Sequence, residues 1–311
     1  MINMQKRKDN HGIFSIHNLK RDWPLYCMLA WPVCLLIVFS YIPMFGIVIA
    51  FEKFLPSQGV FNSKWTGFAN FTTLFKMPGF YQALINTLRM SIWKIVLGVI
   101  VPVTFSLLLN EIASNVVKRC VQTFIYLPHF ISWVLMAGIF TKLLSSNGLV
   151  NRVIMALGGS PVLFLASNKW FRFTVIFTHI WKEFGYGTIV YLAAIAGVNV
   201  DLYEAAEIDG AGHFQQLLHV TLPSIVPIVI LMSTLAMGNI LNAGFDQIFN
   251  LYNPVVYESG DIIDTLVYRI GIGSGQFGLS SAAGLFKSAV STVLILASYR
   301  IAFITSGYHV F

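Results

Sequence analysis

Six apolar stretches dominate this chain of 311 residues. A helix that crosses a lipid bilayer needs about 20 consecutive, mostly apolar residues. Because the bilayer interior offers no water to bond backbone groups, only helices and closed barrels can cross it. The stretches here are long and continuous rather than alternating, which indicates helices. The predicted spans cover residues 25–51, 83–109, 121–143, 173–198, 223–245 and 282–304.

The composition excludes an ordinary soluble domain. Hydrophobic residues make up 56% of the chain and charged residues only 11%, whereas soluble domains carry about 25% charged residues. A surface with so few charges must face lipid or other apolar protein. We therefore predict an all-α, polytopic membrane helix bundle of six transmembrane helices over residues 25–311. Several prolines fall inside the spans, among them Pro32, Pro43, Pro102 and Pro128, and they predict kinked helices.

The N-terminal segment, residues 1–24, is basic and predicts the orientation. Lysine and arginine are enriched on the cytoplasmic side of membrane proteins, and six spans then place both termini in the cytoplasm. The links 110–120 and 199–222 would also face the cytoplasm, and the longer links would face outward. Since this topology explains the basic segment, we do not predict nucleic acid as a partner. The basic residues of the segment are Lys6, Arg7, Lys8, Lys20 and Arg21.

The link between the fourth and fifth spans is acidic, which is unusual for a cytoplasmic link. We call residues 201–223 the acidic loop. Asp201 is predicted to cap a helix whose first turns are acidic, because negative charge is favourable at a helix N-terminus. Gly210 permits a left-handed turn, and Pro223 suits the start of the next helix. The loop contains Asp201, Glu204, Glu207 and Asp209 but no lysine or arginine.

The spacing within the acidic loop carries a family resemblance. Glu204-Ala205-Ala206, then Gly210, then Val220-x-Leu222-Pro223 resembles the EAA loop of binding-protein-dependent ABC importer permeases. Without this spacing, an amphipathic linker at the membrane surface would be an equally good interpretation. The resemblance extends over nearly the whole chain and is closest to sugar permeases of the maltose-transporter type. Other stretches that support it are Leu107-Leu-Leu-Asn-Glu, Tyr126-Leu-Pro-His-Phe, Ile180-Trp-Lys-Glu and Gly238-Asn-Ile-Leu-Asn.

The resemblance implies a function and a set of partners. It implies a type I ABC importer permease fold in a bacterial cytoplasmic membrane, and a non-catalytic subunit that transports oligosaccharides or polysaccharide fragments. The partners would be a second, homologous permease, an ATPase dimer that uses ATP and magnesium, and an extracellular solute-binding protein. This chain itself would bind no cofactor. The residues implied to couple to the ATPase are Glu204, Ala205, Ala206, Asp209, Gly210, Leu222 and Pro223.

Polar residues inside the spans are candidates for the sugar pathway. A charge at the bilayer centre costs about 2.5–3.5 kcal/mol on insertion scales, so such residues need a reason to be there. One reason is sugar binding; another is structural pairing or snorkelling to the membrane surface. The excess of basic residues is compatible with a uronate or sulfated sugar. The candidates are Trp181, Lys182, Glu183, Tyr186, Asn239 and Asn242.

No residue pattern predicts a catalytic or metal site. The Gly273–Gly278 stretch matches a dinucleotide fingerprint but follows no strand of a βαβ unit. Cys27, Cys34 and Cys120 are unclustered, and no Walker lysine loop occurs, so another chain must hydrolyse ATP. The alternative function is a stand-alone secondary transporter or membrane enzyme, which gives no reason for the acidic loop.

Overall fold

The computed structural model describes the backbone of residues 16–306 and the side chains of residues 22–300. Lys6, Arg7 and Lys8, which contribute to the predicted orientation, lie outside the described residues. Within the described part, helices dominate, and two short strands, β1 (Glu52–Lys53) and β2 (Lys64–Trp65), pair antiparallel.

The helices vary from single turns to lengths that cross a bilayer. Their bounds are α1 Ile16–Leu36, α2 Ile42–Met44, α3 Gly59–Asn62, α4 Ala69–Lys76, α5 Pro78–Asn110, α6 Asn115–Tyr126, α7 Trp133–Leu143, α8 Leu149–Ala156, α9 Asn168–Ala196, α10 Val200–Ile208, α11 His213–Gln216, α12 Leu222–Met237, α13 Phe245–Leu251, α14 Tyr257–Gly260, α15 Ile263–Tyr268 and α16 Phe277–Ser306. Wider π-helical turns cover Ile37–Tyr41, Leu217–Thr221 and Arg269–Gly273, and 3₁₀ turns cover Phe45–Phe51, Leu127–Phe130 and Pro254–Val256.

Four continuous helical segments are long and apolar enough to cross a membrane. Two further pairs of helices meet the criteria of length and apolar composition only when each bent pair counts as one span, which brings the number to six. The segments and pairs overlap the six stretches predicted from the sequence. The four continuous segments are Asp22–Phe51, Pro78–Asn110, His213–Met237 and Phe277–Arg300.

The third predicted span differs from a single helix. Helices α6 and α7 are bent by 105° relative to each other, with the 3₁₀ turn Leu127–Phe130 between them. Pro128 has no backbone N–H to donate in this turn. The Ser132 side chain then accepts a hydrogen bond from Leu135 N at 3.4 Å and caps α7. The backbone carbonyls freed by this break become available to side chains of other helices.

Helices α5 and α9 pack side by side and run in the same direction. Arg172 Nη2 near the start of α9 donates to Asn86 Oδ1 near the start of α5 at 3.1 Å. Further along, a Cβ on Gly187 would lie only 3.0 Å from Pro102. At Gly185, a Cβ would lie 1.9 Å from the Ile125 carbonyl oxygen, so only glycine allows α6 to cross α9 this closely. These contacts fix the helices that carry most of the polar groups described below.

The link between α13 and α16 folds against the starting ends of α5 and α9. Asn86 Nδ2 donates to the backbone oxygens of Glu258 and Asp261, each at 3.0 Å. Arg269 donates to both oxygens of the buried Asp261. Burial opposes the charge of Arg269, but the hydrogen bonds and charge of Asp261 outweigh it and raise the pKa of the guanidinium. This ordered link lies at one end of the bundle, and the acidic loop, which follows the other end of α9, lies at the opposite end.

Candidate functional site

The acidic loop forms a helix, a tight turn and a second helix, as its sequence predicts. Helix α10 runs over Val200–Ile208, but its cap differs from the prediction. Asn199, not Asp201, is the N-cap residue, and its Oδ1 accepts a hydrogen bond from Asp201 N at 3.1 Å. The helix therefore begins two residues earlier, which places Asp201 in its first turn, where a negative charge is favourable.

Gly210 makes the turn possible. Its φ angle is +80°, in the left-handed region that other residues rarely adopt. Ala211 N donates to Ala206 O at 2.9 Å across the turn, and Gly212 N donates to Gln215 Oε1 at 3.0 Å at the start of α11. These bonds close the turn from both sides and give the loop a defined shape.

The residues predicted to couple to an ATPase lie mostly on the surface of the loop. Glu204, Ala205, Asp209 and Gly210 are exposed, and Ala206 is half-buried. Leu222 and Pro223 begin α12. The loop also exposes large apolar side chains; Ile208 is 87% exposed and Phe214 is 72% exposed. An acidic surface with exposed apolar side chains at the end of a membrane bundle is suited to binding another protein.

A cavity of about 360 Å³ with several polar side chains in its lining, called the polar cavity below, opens between α5, α9, α12 and the residues that follow α12. Asn239 and Asn242 line it, together with Lys94, His179 and Tyr191. The sequence predicts both asparagines inside the fifth span, but α12 ends at Met237 and they lie in the non-helical segment that follows. Gly238 and Gly244 flank this segment, and Gly244 has a left-handed φ of +88°. The break frees backbone groups near the cavity and leaves Asn242 exposed.

Lys94 holds the broken segment in place. Its Nζ donates to Ala243 O and to Gln247 Oε1, each at 2.6 Å. Gln247 Nε2 in turn donates to Val175 O at 2.7 Å and to Thr178 Oγ1 at 2.8 Å. Lys94 and Gln247 are both buried. The two side chains thus join α5, α9 and α13, and they orient the segment that carries the two asparagines.

A second polar cluster lies near the middle of α9, at the bend between α6 and α7. Lys182 Nζ donates to His129 O at 2.8 Å and to Glu183 Oε1 at 2.9 Å. Glu183 Oε2 lies 2.7 Å from His129 Nδ1, and Tyr186 stacks on the His129 ring at 4.0 Å. The Lys182 side chain is buried, whereas Glu183 is 31% exposed. Glu183 lies near the middle of α9, where a partly exposed carboxylate would be costly in lipid. This side of α9 is therefore suited to a water-filled passage or to a contact with another protein.

Trp181 is separate from both polar groups. It lines an apolar groove between α5 and α9 and packs edge-on against Phe140. Of the predicted pathway residues, the structure therefore brings Asn239 and Asn242 together at the cavity, and Lys182, Glu183 and Tyr186 together at the bend. The sequence predicted neither the bond between Lys94 and Gln247 nor the role of His129, because these partners are far apart along the chain.

The fold and these sites define a polytopic membrane protein with a polar cavity between its helices and an ordered acidic loop at one end of its bundle. Residues 94–304 match the family model of the binding-protein-dependent transport system inner membrane component. The chain therefore belongs to this family of membrane transport components. The comparisons confirm the family and the type I importer fold predicted from the sequence. They give no support to a stand-alone transporter or enzyme.

Relatives of known name cover nearly the whole chain. Protein LplB of Bacillus subtilis (strain 168) is 41% identical over 292 residues, with 94% of this chain and 92% of the relative covered. The polygalacturonan/rhamnogalacturonan transport system permease protein YteP of the same organism is 41% identical over 280 residues, with 89% and 87% covered. A crystal structure of a bacterial ABC transporter that imports the acidic polysaccharide alginate matches with a TM-score of 0.86 and 39% identity, with 93% of this chain and 98% of that chain covered.

Proposed function

We propose that this chain is one of two permease subunits of an ABC importer that carries acidic oligosaccharides, with uronate sugars, across the cytoplasmic membrane. The observation that carries this proposal is the full-length similarity to two transport proteins whose names specify acidic polysaccharides. One is a polygalacturonan/rhamnogalacturonan permease and the other an alginate importer, and both are about 40% identical to this chain. The basic excess among charged residues in the spans is consistent with a negatively charged sugar.

The remaining partners follow from the same proposal. A second, homologous permease would complete the pathway, and an ATPase dimer would bind ATP and magnesium, because this chain contains no Walker lysine loop. A related alginate transporter has been crystallised with an oligosaccharide-bound periplasmic protein, which supports a solute-binding protein as the donor of sugar. In this arrangement both termini and the acidic loop face the cytoplasm, and the ordered link 252–276 faces outward.

The acidic loop is the contact with the ATPase in this proposal. Glu204 and Asp209 supply negative charge, Ala205 and Ala206 allow close approach, and the apolar Ile208 is available for burial. Because the loop is closed by its own hydrogen bonds, an ATPase that moves on binding ATP would move the loop as a unit. Leu222 and Pro223 connect that movement to α12. A helix bundle that has two discrete packing arrangements can convert such a small displacement into a larger movement.

The sugar pathway in this proposal runs past the two polar groups. Side-chain amides donate and accept hydrogen bonds, so Asn239 and Asn242 can bind sugar hydroxyls in the cavity. The partly exposed Glu183 can accept hydrogen bonds from hydroxyls, and Tyr186 offers an aromatic face to a sugar ring. The buried Lys182 instead holds Glu183 and the bend in position. Trp181 contributes to packing in the apolar groove rather than to the pathway.

A transport assay tests the proposed substrate class. Cells that lack this chain, and the same cells complemented with it, would be given labelled oligogalacturonate, labelled alginate oligosaccharide and a labelled neutral oligosaccharide of equal length. We expect ATP-dependent uptake of at least one acidic oligosaccharide only in complemented cells, and no gain in uptake of the neutral one. Uptake of the neutral sugar alone would contradict the substrate class. Uptake that persists when ATP is depleted while the ion gradients are maintained would contradict the importer itself.

A further inference from the structure

Among the described residues, one pair of side chains connects helix α10 of the acidic loop to the start of α12. A hydrogen bond joins Tyr203 Oη on α10 and Thr221 Oγ1 at the end of the π-helical turn, at 2.9 Å. Thr221 is only 3% exposed and Tyr203 is half-buried, so this bond is partly shielded from water. The other hydrogen bonds described for the loop lie within its two helices or close the turn between Ala206 and Gln216. They shape the turn but do not join α10 to the start of α12.

The π-helical turn Leu217–Thr221 makes this connection necessary. A π-helical turn is wider than an α-helical turn, is rare, and often occurs at functional sites. Here it lies between the short helix α11 and the long helix α12, and Pro223 near the start of α12 has no N–H to donate. A displacement of α10 could therefore be absorbed by this turn unless a side chain connects α10 directly to its far end.

We propose that Tyr203 is a positioning residue that makes the acidic loop and α12 move as one body, through its hydrogen bond to Thr221. This inference rests on the proposed function, because it concerns how movement of the loop reaches the sugar pathway. The helical segment from His213 to Met237 is 25 residues long, or roughly 37 Å at the rise of an α-helix. Its far end adjoins Asn239 and Asn242 at the polar cavity.

The two ends of α12 then have different roles. At the loop end, Tyr203 holds Thr221, so that α12 follows the loop. At the cavity end, the connection to Lys94 begins at Ala243, beyond the two asparagines. When α12 is displaced, Asn239 at its end would shift relative to Asn242, which adjoins the Ala243 that Lys94 holds in place. The displacement of the loop would in this way change the shape of the sugar site.

A set of hydroxyl deletions tests this inference in the complete importer, reconstituted in liposomes with its ATPase and second permease. The variants are Tyr203→Phe, Thr221→Val and the double variant, each of which keeps the side-chain shape. A hydrogen bond of this kind contributes a free energy that corresponds to about fivefold in an equilibrium constant. We therefore expect each variant to need about fivefold more ATP hydrolysed per sugar transported, with ATP hydrolysis itself changed by less than about twofold. The double variant should be no worse than either single variant, since all three lack the same bond.

The control is Thr234→Val, which makes the same change within α12, where the hydroxyl donates to Ile230 O of its own helix and to nothing else in the part of the chain that the structure describes. It should keep the wild-type ratio. The inference is overturned if Tyr203→Phe keeps that ratio, if the effects of the two single variants add, or if the variants lose the ATPase from the purified complex. In the last case the bond would serve assembly alone. Absence of ATP-dependent transport by the wild-type complex would instead contradict the proposed function.

Discussion

Cells that carry the Gly210→Ala or Glu204→Lys variant are expected to contain normal amounts of the chain in the membrane but to lose almost all ATP-driven uptake. Gly210 has a φ of +80°, and a residue with a Cβ costs about 1–2 kcal/mol in that conformation. Nothing lies within 4 Å of the position that the Cβ would take, so the damage comes from the changed turn rather than from a clash. Glu204→Lys reverses a charge on the exposed surface proposed to bind the ATPase.

Two matched controls separate this effect from general instability. Gly158→Ala introduces the same backbone strain at a position outside the acidic loop, with a φ of +86° and open space around the Cβ. Glu111→Lys reverses an exposed charge at the end of α5. Both should retain uptake. The measurement is the amount of ATPase subunit that copurifies with each variant, together with sugar uptake. Copurification and uptake at wild-type levels in both loop variants would contradict the proposed contact.

The Lys94→Met variant is expected to insert into the membrane but to lose uptake by about tenfold or more. The change leaves Ala243 O and Gln247 Oε1 without their donor, at a cost of about 1–3 kcal/mol for each buried acceptor. It also removes a charge whose insertion costs about 2.5–3.5 kcal/mol. Since these effects largely offset each other, the stability of the chain should change little. The segment that carries Asn239 and Asn242, however, would lose the contact that positions it.

Lys94→Arg provides a sharper version of this test. It keeps the positive charge, but a Cβ on Gly244 would lie only 3.4 Å from Lys94 Nζ, so the site has little room for a guanidinium. We expect reduced uptake in this variant also, which a role for the charge alone would not predict. The control is Lys142→Met, which removes an exposed lysine on α7. The measurement is the initial rate of uptake over a range of sugar concentrations. Wild-type kinetics in Lys94→Met would contradict a positioning role for this residue.

The sequence was sufficient for the features that depend on local composition and spacing. Apolar stretches longer than 20 residues predict the spanning segments, because a bilayer interior imposes that length on any helix that crosses it. Gly210 could be assigned to a sharp turn because only glycine adopts a left-handed conformation at low cost. The class of transport protein could be predicted from the spacing of Glu204, Gly210 and Pro223, which resembled a known family pattern.

The features that depend on distant contacts could not be predicted. The bend of 105° after α6 is stabilised in part by Lys182, which bonds the carbonyl of His129 from another helix. The end of α12 at Met237, by contrast, has a local signal, because Gly238, Asn239, Asn242 and Gly244 follow it, and glycine and asparagine are common at helix ends. Lys94 and Gln247 are separated by 153 positions along the chain, and no local pattern links them. Asn199 could have been recognised as a cap, because asparagine is among the preferred N-cap residues.

The central claim is that the acidic loop lies on the cytoplasmic side and contacts the ATPase. The direct measurement uses Ile208→Cys, at a position that is 87% exposed, in a chain whose three native cysteines have been replaced by serine. Membrane-impermeant maleimide would be applied to right-side-out and inside-out vesicles, with and without the ATPase bound. We predict labelling only in inside-out vesicles and protection when the ATPase is bound. Labelling in right-side-out vesicles, or labelling that the ATPase does not reduce, would contradict the claim.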